Sequence, residues 1–174
     1  ATGAVLLAPR ALLGPAAYLA TRPRLVALST RVLLFFQAGT DAAPGAIHVM
    51  SFDPTQTDPS TWSATLLGAG TAVLAAASSG SYYDVCRILT TDTAAFVGRR
   101  AVTTSYEVAT VSATPTVSAT TKARTADGPI AVASHPTGTH LQVIRANGTN
   151  IQGDYLSVAG PHTDVTTAQA VGTV

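Results

Sequence analysis

Residues 24–37 read RLVALSTRVLLFFQ, and the spacing of their apolar side chains decides the fold class. In an extended chain Leu25, Ala27, Ser29, Arg31, Leu33 and Phe35 fall on one side and Val26, Leu28, Thr30, Val32, Leu34 and Phe36 on the other. The second set is the more evenly apolar and is the expected core face. A turn cluster, GTDAAPG at 39–45, follows, and AIHVMSF at 46–52 alternates again with Ile47 and Val49 on one face. The two segments predict an antiparallel pair that places Val26, Leu28, Val32, Leu34, Ile47 and Val49 between two sheets. Asp53-Pro54 and Asp58-Pro59 end the second strand, because proline has no N–H for the ladder and biases the residue before it away from helix.

Outward from this pair, Ser60 or Thr61 is positioned to cap a helix running through Trp62, Leu66, Leu67, Val73 and Leu74, weakened by about 1 kcal/mol at each of Gly68 and Gly70. Past Gly80, short strand-like segments bounded by Gly, Pro, Asp and Asn recur at 82–90, 101–112, 116–122, 130–134, 139–145 and 155–159. Such spacing predicts an all-β antiparallel sandwich with one or two short helices, and the absence of a linker places 1–174 in a single domain. Composition agrees. The chain has 32 Ala and 27 Thr against one Glu and one Lys, so the residues that usually cover exposed helices are nearly missing. The small polar segment 163–174 is expected on a surface or against a neighbour.

Of 174 residues, 11% are charged and the formal net charge is +1. With a mean hydropathy of +0.31, that balance excludes a disordered tail, a long coiled coil and a conventional highly charged cytosolic surface, and it argues against sequence-independent phosphate binding. No membrane span is expected: the longest uncharged apolar stretch, 66–77, is shorter than the ~20 residues a bilayer requires. Cys86 is the single cysteine, which excludes an intrachain disulfide and reads as a buried, inert thiol.

Motifs for chemistry are sparse. Gly80-Ser81 lacks the second glycine of a nucleophile elbow, and Gly68-Ala69-Gly70 lacks the third glycine of a dinucleotide loop. His48, His135, His140 and His162 are too scattered for a ligand set, and His48 falls on the side opposite Ile47 and Val49, facing solvent or an interface. Asp53 and Asp58 share the loop FDPTQTD, stiffened by two prolines; they read either as turn and cap residues or as oxygen ligands for Ca²⁺, which a neighbouring subunit would have to complete. Asn147-Gly148 is a hairpin turn signal that doubles as a glycosylation sequon with Thr149. The arginines group as Arg22 with Arg24 and Arg99 with Arg100, either a solvated edge or subunit contact, or a surface facing a polyanion.

The run RLVALSTRVLLFFQAGTDAAPGAIHVMSFDPTQTDPSTW, residues 24–62, resembles the shell domain of small icosahedral positive-strand RNA virus coat proteins of the tombusvirus, sobemovirus and nodavirus kind. The shared order is a long strand, a turn with Pro-Gly, a strand ending in Phe-Asp-Pro, an Asp-Pro and a short helix. The resemblance implies an eight-stranded jelly roll, Asp53 and Asp58 as inter-subunit calcium ligands, and Arg10, Arg22 and Arg24 as the residues facing packaged nucleic acid. The main genome contact would come from a segment outside this chain. It further implies a structural capsid protein without catalytic activity, self-assembling from identical subunits into an icosahedral virion inside a host cell. A low-charge surface fits a subunit buried on several sides by copies of itself. The alternative is an extracellular β-sandwich binding module, carbohydrate-binding or adhesin-like, with Trp62, Tyr82, Tyr83 and Tyr106 as its ligand face.

Overall fold

The computed structural model describes residues 21–39, 44–55, 71–74, 79–101 and 103–173. These form twelve strands and, among the described residues, no helix. β1 (Thr21–Ala27), β2 (Val32–Gly39), β3 (Pro44–Phe52) and β4 (Thr71–Leu74) make the first sheet. β5 (Ser79–Ile88), β6 (Thr93–Arg100), β7 (Tyr106–Val111) and β8 (Val117–Lys122) make the second. β9 (Ile130–Ser134), β10 (His140–Asn147), β11 (Asn150–Ser157) and β12 (Asp164–Thr173) make the third. Each sheet is an antiparallel meander whose strand order follows the sequence.

The all-β antiparallel class matches the reading of 24–37, but the topology differs from the eight-stranded jelly roll. A jelly roll interleaves its strands between two sheets through long Greek-key crossings, whereas each sheet here collects four successive strands in sequence order. The stretch 24–37 is itself a hairpin, turned at 28–31, where the Leu28 N–H donates to the Arg31 carbonyl at 2.8 Å. That turn reverses the expected parity. Paired residues of an antiparallel ladder point to the same face, and Val26 pairs with Leu33 while Phe35 pairs with Val49. The shared core therefore holds Val26, Leu28, Leu33, Phe35, Ile47 and Val49. Leu34 is buried on the opposite face with Phe36 and Met50, and Val32 is half-buried.

Two further expectations are corrected. The end of the expected helix, Thr71–Leu74, is a strand paired with β3, where β-branched Thr71 and Val73 are at home; residues 56–70, including Trp62 and Asp58, lie outside the described set. The polar tail pairs along β11 as the edge strand β12, Asp164–Thr173, with Thr163, Asp164, Val165 and Gly172 exposed, a surface position as expected. β6 has no counterpart among the expected strands, because its five consecutive buried residues, Ala94 to Gly98, leave no alternation to read.

That continuous burial has a cause: the second sheet is the middle layer. Ala94, Phe96, Ala109 and Val111 pack towards the first sheet. Ala95, Val97, Tyr106 and Val108 pack towards the third. Successive residues of β5 divide the same way, as a strand's geometry requires. The Tyr83 hydroxyl donates to the carbonyls of Arg22 and Phe35 in the first sheet, while the Asp84 carboxylate accepts the Val132 N–H of β9 at 3.0 Å.

These contacts also fix direction. β5 meets β1 at Tyr83 and Arg22, and its far turn meets the β1–β2 turn where Asp92 accepts the Ser29 N–H at 3.0 Å and the Ser29 hydroxyl. It meets β9 at Asp84 and Val132, and its far turn meets the β9–β10 turn where Thr90 donates to the Gly138 carbonyl at 3.3 Å. β1, β5 and β9 therefore lie side by side and run the same way. One end of the molecule carries their starts; the other carries the three first turns in a row.

Candidate functional site

Burying polar groups is costly unless they are paired, so the polar residues between these apolar layers mark where the sequence accepts that cost. Asp154 on β11 is fully buried. Its carboxylate accepts from the Tyr106 hydroxyl at 2.6 Å, from Arg145 Nε at 2.8 Å and from Arg124 Nη1 at 2.8 Å. Arg124 also bonds Asp164 at 2.6 Å, Lys122 bonds Asp164 at 3.3 Å, and the Arg145 guanidinium lies 5.9 Å above the Tyr106 ring. Burial alone would raise the Asp154 pKa, but the hydrogen bonds from Arg145 and Tyr106 and the charges of Arg145 and Arg124 outweigh it and hold the carboxyl below its usual range. Burial, reinforced by the Asp154 hydrogen bond and charge, pushes the Tyr106 phenol far up. Tyr106, Arg145, Arg124 and the Asp154 carboxylate are thus engaged with one another, and the network locks β7 and the segment after β8 to β10 and β11.

Beside it, at the end where β9 begins, lies an open hollow of about 650 Å³. Pro129, Ile130, Ala131, Ile144 and Ile151 supply its apolar wall, with Asp127 and Arg145 as its charged groups. Asp127 also caps the β10–β11 turn, accepting the Gly148 N–H at 2.7 Å. Gly148 has φ +59°, so the Asn147-Gly148 hairpin signal was read correctly.

At the same end, Tyr82 of β5 is partly exposed and carries two guanidinium groups, Arg22 at 5.7 Å and Arg99 at 5.6 Å from its ring centroid. Arg22 also reaches Gln37 at 3.5 Å. Arg100 pairs with Glu107 at 3.0 Å. Arg24 is exposed and bonds the Pro23 carbonyl. Arg10 lies outside the described residues.

The remaining expected site residues are not brought together. Asp53 accepts from the Thr55 N–H at 2.9 Å and its hydroxyl at 2.7 Å, which lowers its pKa and closes the turn on itself. No group of three or more His, Cys, Asp or Glu side chains is placed to hold a metal among the described residues. His48 stacks on Phe36 at 5.5 Å and is half-buried on the face of β3 opposite Ile47 and Val49. His135, just after β9, stacks at 4.1 Å on His140, the first residue of β10. His162 is fully buried, its ring nitrogens 3.1 and 3.2 Å from the Ser157 and Ser118 carbonyls. Burial pushes the Cys86 thiol up to about 11, in keeping with an inert thiol. Tyr83 and Tyr106 are buried on opposite faces of the middle sheet, so they share no ligand face with Tyr82.

Sequence reasoning missed the Asp154 network. Its members, Tyr106, Arg124, Arg145, Asp154 and Asp164, are spread over 59 positions, and only the one-charge-in-nine composition hinted that the few charges present would be used in pairs. No protein-family model matches the chain, and no curated protein matches it.

Proposed function

We propose that the chain is a non-catalytic ligand-binding scaffold of propeller type, its three sheets acting as successive blades. The observation that carries this reading is the parallel alignment of β1, β5 and β9, each the first strand of a four-stranded meander, so that every sheet repeats the placement of the one before it. Propellers stack four-stranded blades in this way around a central axis, typically about 4–8 of them. Such scaffolds bind ligands on segments held at one end by rigid sheets. The hollow at the start of β9 supplies a site of suitable kind, with an apolar wall and the exposed Asp127 carboxylate for a small, largely apolar ligand with a polar handle. The coat-protein reading is supported by the low charge and by the pattern of 24–62, and not by the strand order. Size-exclusion chromatography with light scattering tests the choice: a monomer or small oligomer is expected, and regular megadalton particles overturn the scaffold reading in favour of a shell. Methyl NMR of Ile144 and Ile151 during a fragment screen tests the hollow, which is discarded as a binding site if no fragment moves either signal.

A further inference from the structure

The hollow at the start of β9 opens on the outer face of the third sheet. Val132, Val143 and Leu156 fill the core shared with the middle sheet, so their strand neighbours point away from it. On that outer face Ala131 pairs with Ile144, and Ala146 with Ile151. The segment 127–129 runs over this apolar floor and is tied to β10 and its turn. The Asp127 N–H donates to the Ala146 carbonyl at 3.3 Å, and the Ala146 N–H donates to the Pro129 carbonyl at 3.1 Å. The Gly148 N–H donates to one carboxylate oxygen of Asp127 at 2.7 Å. The approach is close, since a Cβ on Gly128 would lie 2.9 Å from that of Ala146. The fold thus fixes the Asp127 carboxylate at the rim of the hollow, and its other oxygen accepts no hydrogen bond from the described residues.

Charge decides what such a hollow accepts. Arg145, the other charged residue along it, is buried, with Nε on Asp154 at 2.8 Å and Nη1 on the Thr125 carbonyl. Asp92, Glu107, Asp154 and Asp164 are each paired with an arginine. Asp53 is closed on Thr55, and Asp84 on the Val132 N–H. Asp127 is exposed, borders an apolar wall and has no ion-pair partner among the described residues. An apolar body seated on that wall would exclude water from one side of the carboxylate and strengthen its attraction for a cation. No aromatic ring lines the hollow, so it offers no cage for a quaternary ammonium. A primary ammonium instead brings N–H donors that the open carboxylate oxygen accepts in a charge-assisted bond.

We propose that the hollow binds a small ligand whose apolar body ends in a primary ammonium group, with Asp127 as acceptor and Ile144 and Ile151 against the body. This rests on the reading of the hollow as a binding site and adds to it the charge of the ligand. The site uses β9, β10, β11 and the segment before β9 alone, so it stands whether or not the three sheets belong to a ring.

Cyclohexylmethylamine, cyclohexylmethanol and cyclohexanecarboxylate share one ring and differ in charge. Their titration at neutral pH, followed by the Ile144 and Ile151 methyl NMR signals, tests the proposal. The amine should bind about three- to tenfold more tightly than the alcohol, the gain expected of a partly exposed charge-assisted bond, and the carboxylate more weakly than either. The N,N,N-trimethyl derivative of the amine, which keeps the charge without N–H donors, should bind less tightly than the amine itself. Asp127→Asn retains an oxygen for the Gly148 N–H and removes the charge, and an unmoved Gly148 amide signal verifies that the turn is intact. In that variant the amine should fall to within about twofold of the alcohol. In the parent, added salt should shrink the amine's advantage over the alcohol, a result that does not depend on any variant. Equal binding of amine, alcohol and carboxylate, a trimethyl derivative that binds as tightly as the amine, or an amine preference that survives Asp127→Asn overturns the proposal and leaves the hollow a binding site. Methyl signals that none of the ligands moves overturn both.

Discussion

Asp154 holds its charge where water does not reach it, and three donors from three different parts of the chain take the place of that water. Removing one partner of a buried ion pair leaves the other charge uncompensated, at a cost of about 3–5 kcal/mol. Asp154→Ala should therefore unfold at a much lower urea concentration, provided the slope of the transition stays that of the parent. The pH dependence has a definite sign. The folded-state pKa is depressed below the ordinary carboxyl value of about 3.9, so its stabilisation is complete above that value and is lost as pH falls through the lower folded pKa. The urea midpoint of the parent should drop on acidification below about pH 4, and Asp154→Ala should show less of that drop. Cys86 makes the opposite case, a group silenced by its surroundings. With burial holding its thiol up to about 11, alkylation by iodoacetamide at pH 8 should be slow in the native protein and at least tenfold faster in urea. Equal rates in both states would show that the thiol is neither shielded nor shifted. Of these two residues the sequence announced only Cys86, because a lone cysteine inside an apolar run is a local feature. Asp154 has meaning only with Arg124 and Arg145, and no local spacing connects them.

Elements were legible where one face of a strand meets the core and the other does not. β9 and β10 fall close to their expected positions because residues such as Ile130 and Val132, or Leu141 and Val143, alternate with more exposed neighbours. β6 was illegible for the converse reason, with both faces covered, and the hairpin within 24–37 was read as one strand because Ser29-Thr30 is a turn without Gly, Pro, Asn or Asp. The turns themselves join the sheets. Gly138 adopts φ +65°, and a Cβ there would lie 2.0 Å from the Thr90 hydroxyl oxygen of the neighbouring turn. Gly138→Ala combines a left-handed backbone with that clash and should cost more than about 1 kcal/mol. In a chain of this size each kcal/mol lowers Tm by about 2–4 °C. A melting temperature unchanged in Gly138→Ala would mean that the two turns do not touch in solution.

At the scale of the whole molecule, the middle sheet governs. β6 contributes side chains to both apolar cores, and β7 does the same. Amide hydrogen exchange should therefore be slowest in Phe96, Val97, Val108 and Ala109, whose loss would open both cores at once, and faster in β4 and β12 at the outer edges. Uniform exchange across the three sheets would contradict the layered order. The all-β class was legible from alternation and from the scarcity of Glu and Lys. The stacking order was not, since it depends on which sheet is covered twice, and that information lies in contacts between β5 and its neighbours on either side. The sequential build of the sheets also bears on synthesis. A ribosome releases β1 to β4 before β5, so the first sheet can pair its strands while Val26, Leu33, Phe35 and Val49 still have no second layer against them. At about 5–20 residues per second, roughly several seconds pass before β6 and β7 emerge to cover that face. The nascent chain is then an open sheet with an oily side, and this interval is when a chaperone, or another nascent copy, has its best opportunity to bind.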